Sequence, residues 1–414
     1  MSGSGREHDL AIVGAGAAGL ATAIFAAREA PGRRIAAFDG AHSLGAKILV
    51  SGGGRCNVTN TVVGEADFNG GSRPVIRRVL RALSVEQTRE LFRELGVPLH
   101  EEPGGKLFPV TNRARTVLDA LVSETLGRGV CLRLGHRVTA VTRGDGGFLL
   151  QTSQGEYRAR RLVLASGGLS LPKTGSDGTG YALARSLGHS IVPTSPALVP
   201  LLLEGAFHAA LSGVSLQATL AVRAAGAKTW KRSGALLWTH FGVSGPLALD
   251  ASRHWLRHQL EGRPPTAVAG LVPGRDAAEI DRRLMAGTGE RPRTLLRNAL
   301  GEWLPASVAA AVPAALGIDG GLGLGRLPRD ARRRLSQALA EWPLPVVGSR
   351  GYNFAEVTAG GVPLQEVDPS TLESRRCPGL HLVGEILDVD GRIGGFNFQW
   401  AWSSARVAAR AAVW

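Results

Sequence analysis

The sequence is short of the features that define secreted, membrane and metal-binding proteins. It contains three cysteines in 414 residues, Cys56, Cys131 and Cys377, with no CxxC pair and no metal-ligand spacing. No apolar run approaches the roughly 18 residues needed to cross a bilayer, and no hydrophobic stretch follows the charges of the N-terminus. We therefore expect a cytoplasmic protein with no disulfide, no metal site and no membrane association.

Lysine is also scarce, although the chain is strongly basic. The formal net charge is +14, and arginine carries almost all of the positive charge. Such a charge can indicate a nucleic-acid partner. The arginines are spread along the chain, however, with one local cluster at 329–334. This pattern is more typical of a genome-wide compositional bias, so a nucleic-acid partner is the less favoured interpretation.

Glycine is abundant, with 56 residues that cluster in short segments. Residues 9–13 read as a buried strand and 34–39 as the next strand, with a helix of good formers between them. The turn before the helix has the pattern Gly14-x-Gly16-x-x-Gly19. These glycines permit a tight turn, close approach to a pyrophosphate and close helix packing, and Asp39 can accept hydrogen bonds from a ribose. The segment predicts a dinucleotide site but does not separate FAD from NAD.

The C-terminal segment favours FAD. A buried strand at 381–383 precedes Gly384-Glu385, and Gly394-Gly395 then precedes a helix. In two-part FAD folds an acid after such a strand commonly binds ribityl or phosphate-side hydroxyls, and a helix N-terminus faces the pyrophosphate or the flavin. The alternative is an ordinary strand-loop-helix that closes a sheet, which the two glycine pairs disfavour.

A third glycine-rich segment is SGGGRCNVTN at 51–60. Its successive glycines suggest backbone lying against a flat ligand, with Arg55 beside it. A cation near the N1–C2 edge of a flavin would stabilise the anionic reduced form. A mobile loop with a solvated arginine is the alternative. The ASGG turn at 165–168 follows its strand in a similar way.

The remaining pattern predicts a discontinuous FAD domain at 1–192 and 351–414. Short alternating runs at 137–142, 148–152 and 157–158 predict an antiparallel meander that returns to a buried strand at 162–165. An inserted substrate domain at 193–350 is expected to be rich in strands over about 193–255 and helical over about 275–342.

The chain resembles a bacterial family of FAD-dependent flavoproteins that includes aminoacetone oxidase-like and BaiN-type proteins. The resemblance runs nearly end to end. It is carried by segments such as DLAIVGAGAAGLATA, GAKILVSGGGRCNVTN, LLWTHFGVSGP and GEILDVDGRIGGFNFQWAWSSA. It implies an α/β fold, in which a Rossmann-type two-part FAD-binding domain is interrupted by a β-barrel-like domain with a helical part. Members perform different reactions, so the resemblance names no substrate.

The residues expected to line the FAD combine the segments above with the family's motif positions. They are Gly14, Gly16, Ala18, Gly19, Asp39, Lys47, Gly52, Gly53, Arg55, Asn57, Val138, Ala165, Gly167, Gly384, Glu385, Gly394, Gly395, Phe396 and Asn397.

The catalytic candidates are Arg55, for its charge, and His240, because a histidine titrates near neutral pH. A structural histidine satisfied by backbone is an equally good interpretation of His240. Cys56 lacks a partner cysteine, which favours a buried, inert thiol.

The favoured function is an FAD-dependent oxidoreductase that acts on an unidentified small molecule. A tRNA-modifying flavoprotein and a non-catalytic redox sensor remain the alternatives. Only one stretch has the full dinucleotide pattern, so NAD(P)H is expected only as a transient electron donor. The sequence leaves the oligomeric state open.

Overall fold

The computed structural model describes residues 6–414, which divide into two compact units. The split unit contains Met1–Pro196 and Glu356–Trp414, and the inserted unit is Ala197–Ala355. No helix of residues 6–414 is both long enough and apolar enough to span a bilayer.

The split unit carries the N-terminal and C-terminal elements of the chain. Its strands are β1 (Glu7–Val13), β2 (Ile35–Phe38), β3 (Thr59–Asn60), β4 (Phe68–Gly70), β5 (Leu99–Glu102), β6 (Lys106–Pro109), β7 (Cys131–Arg133), β8 (Val138–Gly144), β9 (Gly147–Thr152), β10 (Gly155–Leu164), β11 (Val192–Ala197), β19 (Val357–Gly361), β20 (Leu380–Leu382) and β21 (Val389–Gly391). Its helices are α1 (Ala17–Glu29), α2 (Ala46–Gly54), α3 (Arg73–Leu80), α4 (Val85–Glu94), α5 (Ala114–Gly127), α6 (Thr179–Ser186) and α13 (Phe396–Ala412).

A parallel sheet forms the centre of the split unit. Its strands run in the order β7-β2-β1-β10, and β20 pairs in parallel with β10. Leu10–Val13 of β1 and Leu162–Leu164 of β10 are buried, as expected for parallel strands covered on both faces. The carboxyl ends of these strands meet at one edge, where ligands bind in open α/β sheets.

Strand β10 joins the parallel sheet to an antiparallel meander. Its first half pairs with β9, and its last three residues pair with β20. The sequence suggests two separate runs at 157–158 and 162–165, but the structure has one continuous strand. The two runs look separate in the sequence because β10 changes its neighbour along its length. Its first half pairs with β9 in a half-exposed hairpin, and its last residues pair with β20 in the buried sheet.

The last helix of the chain completes the core of the split unit. Helix α13 packs against α1, and each of the two helices carries several buried alanines. The Trp402 Nε1 atom donates to the Val58 carbonyl at 2.9 Å. The C-terminal segment is thereby tied to the N-terminal half, which makes the discontinuous unit one packed body.

The inserted unit contains one sheet and a layer of helices. Its strands are β12 (Leu201–Leu203), β13 (Ser215–Arg223), β14 (Trp230–Thr239), β15 (Gly242–Ser244), β16 (Thr266–Gly270), β17 (Trp342–Leu344) and β18 (Val346–Ser349). Its helices are α7 (Phe207–Ala210), α8 (Gly245–Leu260), α9 (Ala277–Glu290), α10 (Leu296–Leu300), α11 (Ala306–Ala315) and α12 (Arg329–Ala340).

The sheet of the inserted unit curls but does not close. The order is β17-β16-β13-β14-β15-β12-β18, and the two end strands follow each other in the chain with only Pro345 between them. One bent run, 342–349, therefore pairs with both ends of the sheet. This arrangement has the connectivity of a barrel, but no closed barrel is formed by the described residues.

Helix α8 begins within the range, about 193–255, that the sequence predicts to be rich in strands. The helix begins at Gly245, directly after β15, with a proline in its first turn. Leu247, Ala251 and Trp255 are buried along it at spacings of four, which is helical periodicity. The sequence did not reveal this helix because its apolar residues directly follow the strand pattern of β15, with no polar segment between them.

Candidate active site

The Gly14–Gly19 turn joins β1 to α1 at the carboxyl edge of the parallel sheet. Gly14 has a φ of +98°, and a Cβ there would lie 2.6 Å from the Ala165 carbonyl oxygen. By contrast, a Cβ at Gly16 would have no heavy atom within 4 Å. No side chain caps the N-terminus of α1, so its first amides and its positive dipole end remain for an anion. The turn thus has the open backbone that a pyrophosphate needs.

Asp39 lies at the carboxyl end of β2 and braces the same turn. Its Oδ2 accepts from the Ala15 amide at 2.8 Å, and its Oδ1 accepts from the Ala41 amide at 2.9 Å. A Cβ at Gly40 would lie 3.1 Å from the Arg137 Cβ, so β8, which begins at Val138, starts beside this turn. Carboxylate oxygens keep further lone pairs, and the contact of Asp39 with a ribose stays a prediction.

Among the buried polar side-chain atoms of the split unit that have no hydrogen-bond partner within residues 6–414, two lie on segments expected to line a dinucleotide. They are the Ser166 Oγ, in the turn after β10, and the Asn57 Oδ1, in the segment before β3. Buried polar atoms are nearly always hydrogen-bonded in folded proteins. Two such atoms, on segments expected to line a dinucleotide, therefore fit a site that a bound FAD completes.

Lys47, Ser170 and Glu385 form a polar cluster between three segments. The Lys47 Nζ lies 2.5 Å from the Ser170 Oγ and 2.5 Å from the Glu385 Oε2. The Glu385 Oε1 accepts from the Ser170 Oγ and from the Thr358 amide, both at 2.9 Å. The sequence predicts Lys47 and Glu385 at the FAD. The structure brings them together and occupies both carboxylate oxygens with protein donors.

The glycines of the C-terminal segment allow close contacts within the split unit. Gly384 has a φ of +73°, and a Cβ there would lie 2.8 Å from the Ala18 Cβ. A Cβ at Gly395 would lie 2.4 Å from the Thr59 carbonyl oxygen. The segment after β20 and the N-terminus of α13 are thereby held against the first turn of α1 and against β3.

The N-terminus of α13 is built by Gly394, Gly395, Phe396 and Asn397. Phe396 is buried, and the Asn397 side chain accepts from the Gly391 amide and donates to the Gly391 carbonyl at 2.8 and 2.9 Å. This bracing fixes the direction of the helix N-terminus. As in α1, no side chain caps it, which fits a role toward a ligand.

The SGGG segment forms a left-handed turn after the first residues of α2. Gly52, Gly53 and Gly54 all have positive φ, a conformation that residues with a Cβ rarely adopt. A Cβ at Gly53 would have no heavy atom within 4 Å, whereas one at Gly52 would lie 3.0 Å from the Phe108 ring. Gly167, in the ASGG turn, also has positive φ and faces the Ser176 side chain.

Arg55 follows this turn with its charge already paired. Its Nη1 lies 2.5 Å from the Glu102 Oε1, and its guanidinium carbon lies 4.2 Å from the centre of the Phe108 ring. The pairing compensates the charge that the sequence assigns to a flavin edge. The proposed contact of Arg55 with the flavin and its catalytic role stay predictions.

The sequence reasoning missed Ser166, Ser170 and Thr358. Ser166 lies between two predicted residues, Ala165 and Gly167, so its hydroxyl could have been added from the same turn. Thr358 had no signal of its own. Its Oγ1 accepts from the Leu169 and Ser170 amides at 2.8 and 3.0 Å, and only the folded chain brings β19 to the turn after β10.

His240 belongs to the inserted unit. It lies in the turn between β14 and β15, it is exposed, and its ring centre lies 5.0 Å from that of Phe241. Its side chain thus reaches solvent, and its proposed role in proton transfer stays a prediction. Within residues 6–414, no three His, Cys, Asp or Glu side chains come together in a group that could hold a metal ion.

Comparison with known proteins gives full-length matches. The model of the HI0933-like protein Rossmann domain matches residues 8–411. A ribosomal RNA dihydrouridine synthase of Escherichia coli is 34% identical over 405 residues, which cover 98% of each chain. A 3-dehydro-bile acid delta(4,6)-reductase of Clostridium scindens is 32% identical over 403 residues, covering 97% of this chain and 98% of that one.

Solved structures agree on the fold. A mutant FrdA chain of the Escherichia coli quinol–fumarate reductase superposes with a TM-score of 0.52 at 18% identity, covering 98% of this chain and 70% of that one. The fold class expected from the sequence is confirmed. The family match and the full-length relatives support FAD as the cofactor. The chain therefore belongs to the HI0933-like family of Rossmann-type flavoproteins, and it is an FAD-dependent oxidoreductase.

Proposed function

We propose that this enzyme reduces a carbon–carbon double bond conjugated to a carbonyl group, and that its substrate is a uracil base in ribosomal RNA. The observation that carries the proposal is the 34% identity to the Escherichia coli dihydrouridine synthase over 98% of both chains. Dihydrouridine is uridine with two hydrogens added across the ring double bond that is conjugated to a carbonyl. The name of the bile-acid relative describes the same class of bond in a 3-keto steroid.

The distribution of arginines in the inserted unit supports an RNA substrate. Helices α9 and α12 pack together through Arg332 and Asp281, whose Nε and Oδ1 lie 2.8 Å apart. Around this pair lies a group of exposed arginines that form no ion pair with a carboxylate among the described residues. This arginine surface comprises Arg282, Arg293, Arg326, Arg329 and Arg333.

The loops of the arginine surface are held next to each other by backbone. The Gly325 amide donates to the Pro292 carbonyl at 2.9 Å, which places Arg326 and Arg293 on neighbouring segments. Unpaired guanidinium groups on one helical layer repel each other unless an anion lies over them. A phosphate backbone supplies such an anion and releases counterions on binding. The clustering makes RNA a better partner than the total charge alone suggests.

The chain's own residues divide the work of the reaction. The split unit holds the cofactor through its uncapped helix N-termini and its free Ser166 and Asn57 oxygens. Once bound and reduced by the electron donor, the flavin would supply the hydride that one carbon of the double bond takes up. We assign His240 to the proton that the second carbon requires, because it is an exposed histidine on a turn between rigid strands.

A small-molecule enone is the second candidate substrate. It is favoured by the 32% identity to the Clostridium scindens reductase over 97% of this chain. A small molecule needs neither the arginine surface nor high affinity for RNA, so the two candidates differ in the salt dependence of turnover.

The electrons for each cycle have to be supplied by a donor. The described residues of the inserted unit contain no βαβ unit that could hold a second dinucleotide. We propose that NADH or NADPH docks only transiently, without a dedicated domain. Its binding should weaken as salt rises, because the attraction is between charges.

The test is an anaerobic single turnover. The holoenzyme is photoreduced and mixed with unmodified ribosomal RNA transcripts or with a 3-keto-4-ene steroid acid, and flavin reoxidation is followed by absorbance. We expect reoxidation by RNA with formation of dihydrouridine, detected by nucleoside mass spectrometry. Reoxidation by the steroid alone would establish the second candidate. Reoxidation by neither would reject the proposed reaction.

A further inference from the structure

A cluster of stacked side chains lies beside the sheet of the inserted unit. The guanidinium carbon of Arg350 lies 3.4 Å from the centre of the Phe354 ring and 4.7 Å from that of Phe241. Phe241 also contacts His240, with ring centres 5.0 Å apart. We call His240, Phe241, Arg350 and Phe354 the Arg350 cluster.

The backbone of the cluster is fixed to the sheet. The Arg350 amide donates to the Pro200 carbonyl at 3.1 Å, and the preceding Ser349 pairs with Leu201 of β12. Gly351 then turns the chain with a φ of +70°, and its amide donates to the Ser349 Oγ at 3.3 Å. The backbone of Arg350 is thus held between a strand end and a tight turn, and its guanidinium lies against two aromatic rings.

The charge of Arg350 is not compensated within the described chain. No carboxylate of residues 6–414 forms an ion pair with its guanidinium. The two aromatic rings lie against the face of the guanidinium and accept no conventional hydrogen bond from it. Its N–H groups therefore remain for an acceptor. A guanidinium with this environment offers a planar set of donors that suits phosphate and carbonyl oxygens.

Phe354 is exposed, which a purely structural stack does not require. Its exposed fraction is 47%, in a unit whose other aromatic stacks include the fully buried Trp238. An exposed ring beside a cation matches the elements that bind unpaired nucleotides. In such sites a base stacks on an aromatic side chain or a guanidinium, and a cation binds the backbone.

We propose that the Arg350 cluster is the nucleotide-recognition subsite of this enzyme. It takes an unstacked nucleotide of RNA, whose base lies on Phe354 while a phosphate or base carbonyl oxygen accepts hydrogen bonds from Arg350. Phe241 supports Arg350 and connects it to His240, so recognition and the proposed proton donor share one edge of the sheet. This inference rests on the proposed RNA substrate.

Binding of a labelled ten-residue oligouridylate to the oxidised holoenzyme tests the subsite. Affinity is measured by fluorescence anisotropy for wild type, Phe354→Ala, Phe354→Tyr and Arg350→Lys. We expect Phe354→Ala to weaken binding about tenfold, as loss of one base stack does, and Phe354→Tyr to keep it. Arg350→Lys keeps the charge but loses the planar fork, so binding should weaken about fivefold.

Matched controls lie in the split unit. Leu126→Ala removes another exposed apolar side chain, and Arg185→Lys changes another exposed arginine. Both should bind like wild type, and all variants should keep wild-type FAD content and thermal unfolding. Unchanged affinity in Phe354→Ala and Arg350→Lys, or no binding by wild type, would overturn the subsite.

The single turnover separates the two proposals. If wild type binds the oligouridylate through the cluster but forms no dihydrouridine, the subsite stands and the proposed reaction fails. If dihydrouridine forms at the same rate and RNA concentration dependence in Phe354→Ala, the reaction stands and the subsite is rejected. The subsite would also be rejected if Phe354→Ala lost binding of the steroid acid but kept binding of the oligouridylate.

Discussion

Gly19 faces Gly14 so closely that a Cβ at position 19 would lie 1.9 Å from the Gly14 carbonyl oxygen. The obstacle is backbone in a tight turn, which cannot move aside as a flexible side chain can. The contact sets how near α1 lies to β1, and thereby where the first amides of the helix point.

Substitution at these glycines should separate folding from cofactor binding. Gly19→Ala should destabilise even the apoprotein by roughly 1–3 kcal/mol, the usual range for overpacking. Gly16→Val should cost the apoprotein only the N-cap preference of about 1 kcal/mol, because no other segment has a heavy atom within 4 Å of that Cβ, yet it should abolish FAD loading by filling the phosphate path. Thermal unfolding of apoprotein and FAD absorbance per chain measure the two effects. Equal apoprotein stability in Gly19→Ala and wild type would contradict the packing argument.

Ser166 should contribute to the holoenzyme but not to the apoprotein. Its buried Oγ has no partner among the described residues, so Ser166→Ala removes an unsatisfied group from the apoprotein. If FAD supplies the missing partner, the variant should bind FAD about fivefold more weakly, the equivalent of about 1 kcal/mol for one hydrogen bond. Titration of apoprotein with FAD measures this change. Ser186→Ala, whose hydroxyl donates to the Leu183 carbonyl, serves as the control.

Cys56 should be unreactive in the native protein. Burial raises the pKa of its thiol to about 12, and a weaker hydrogen bond with Ser51 acts in the opposite direction. The thiolate is the reactive form, so almost none is present at pH 8. We expect iodoacetamide to label Cys56 only after unfolding in urea, as judged by peptide mass spectrometry. Rapid labelling of Cys56 in the folded holoenzyme would instead support a redox role.

Much of the split unit could be predicted because its signals are local. The turn at Gly14–Gly19, the acid at Asp39 and the strand before Gly384 each depend on residues adjacent in sequence. For the inserted domain, the sequence predicts boundaries at 193 and 350, and the structure has them at 197 and 355. Pairings across more than a hundred residues were beyond reach: Lys47 with Glu385, and Thr358 with the turn after β10, are set by tertiary packing alone.

The ion pair of Arg55 with Glu102 also could not be predicted from local sequence. The place of Arg55 after three glycines suggests a free cation, but the β5–β6 hairpin brings Glu102 and Phe108 to it. Nothing in the local sequence indicates that a carboxylate from this hairpin would pair with it. Sequence patterns identify which residues carry chemistry more readily than they identify which charges are compensated.

His254 should make the stability of the enzyme sensitive to acid. Burial lowers its pKa to about 3, with Arg253, His258 and Arg232 acting in the same direction. The unfolded chain therefore binds one more proton than the folded chain between about pH 6.5 and about pH 3. The contribution of neutral His254 to the free energy of unfolding is fully present above pH 6.5. It decreases as the pH falls through this window.

The variant His254→Phe keeps a ring against Trp230, whose ring centre lies 5.1 Å from that of His254, but cannot take up the proton. Denaturant unfolding from pH 4 to pH 8 should show a pH slope smaller than that of wild type by about one proton. An unchanged slope would mean that His254 is solvated and titrates normally.

The arginine surface should control affinity for RNA through charge. Arg329 and Arg333 lie one helical turn apart on α12, both exposed. Reversing both charges in Arg329→Glu/Arg333→Glu should weaken binding of ribosomal RNA at least tenfold at low salt and reduce the slope of log affinity against log salt by about two. The matched control is Arg81→Glu/Arg185→Glu, which makes the same change in net charge on exposed arginines of the split unit. If both double variants lose affinity equally, the binding follows net charge and the surface has no special role. If only the α12 variant loses it, while the flavin of both is reduced normally by dithionite, the helical layer of the inserted unit is where the RNA backbone binds.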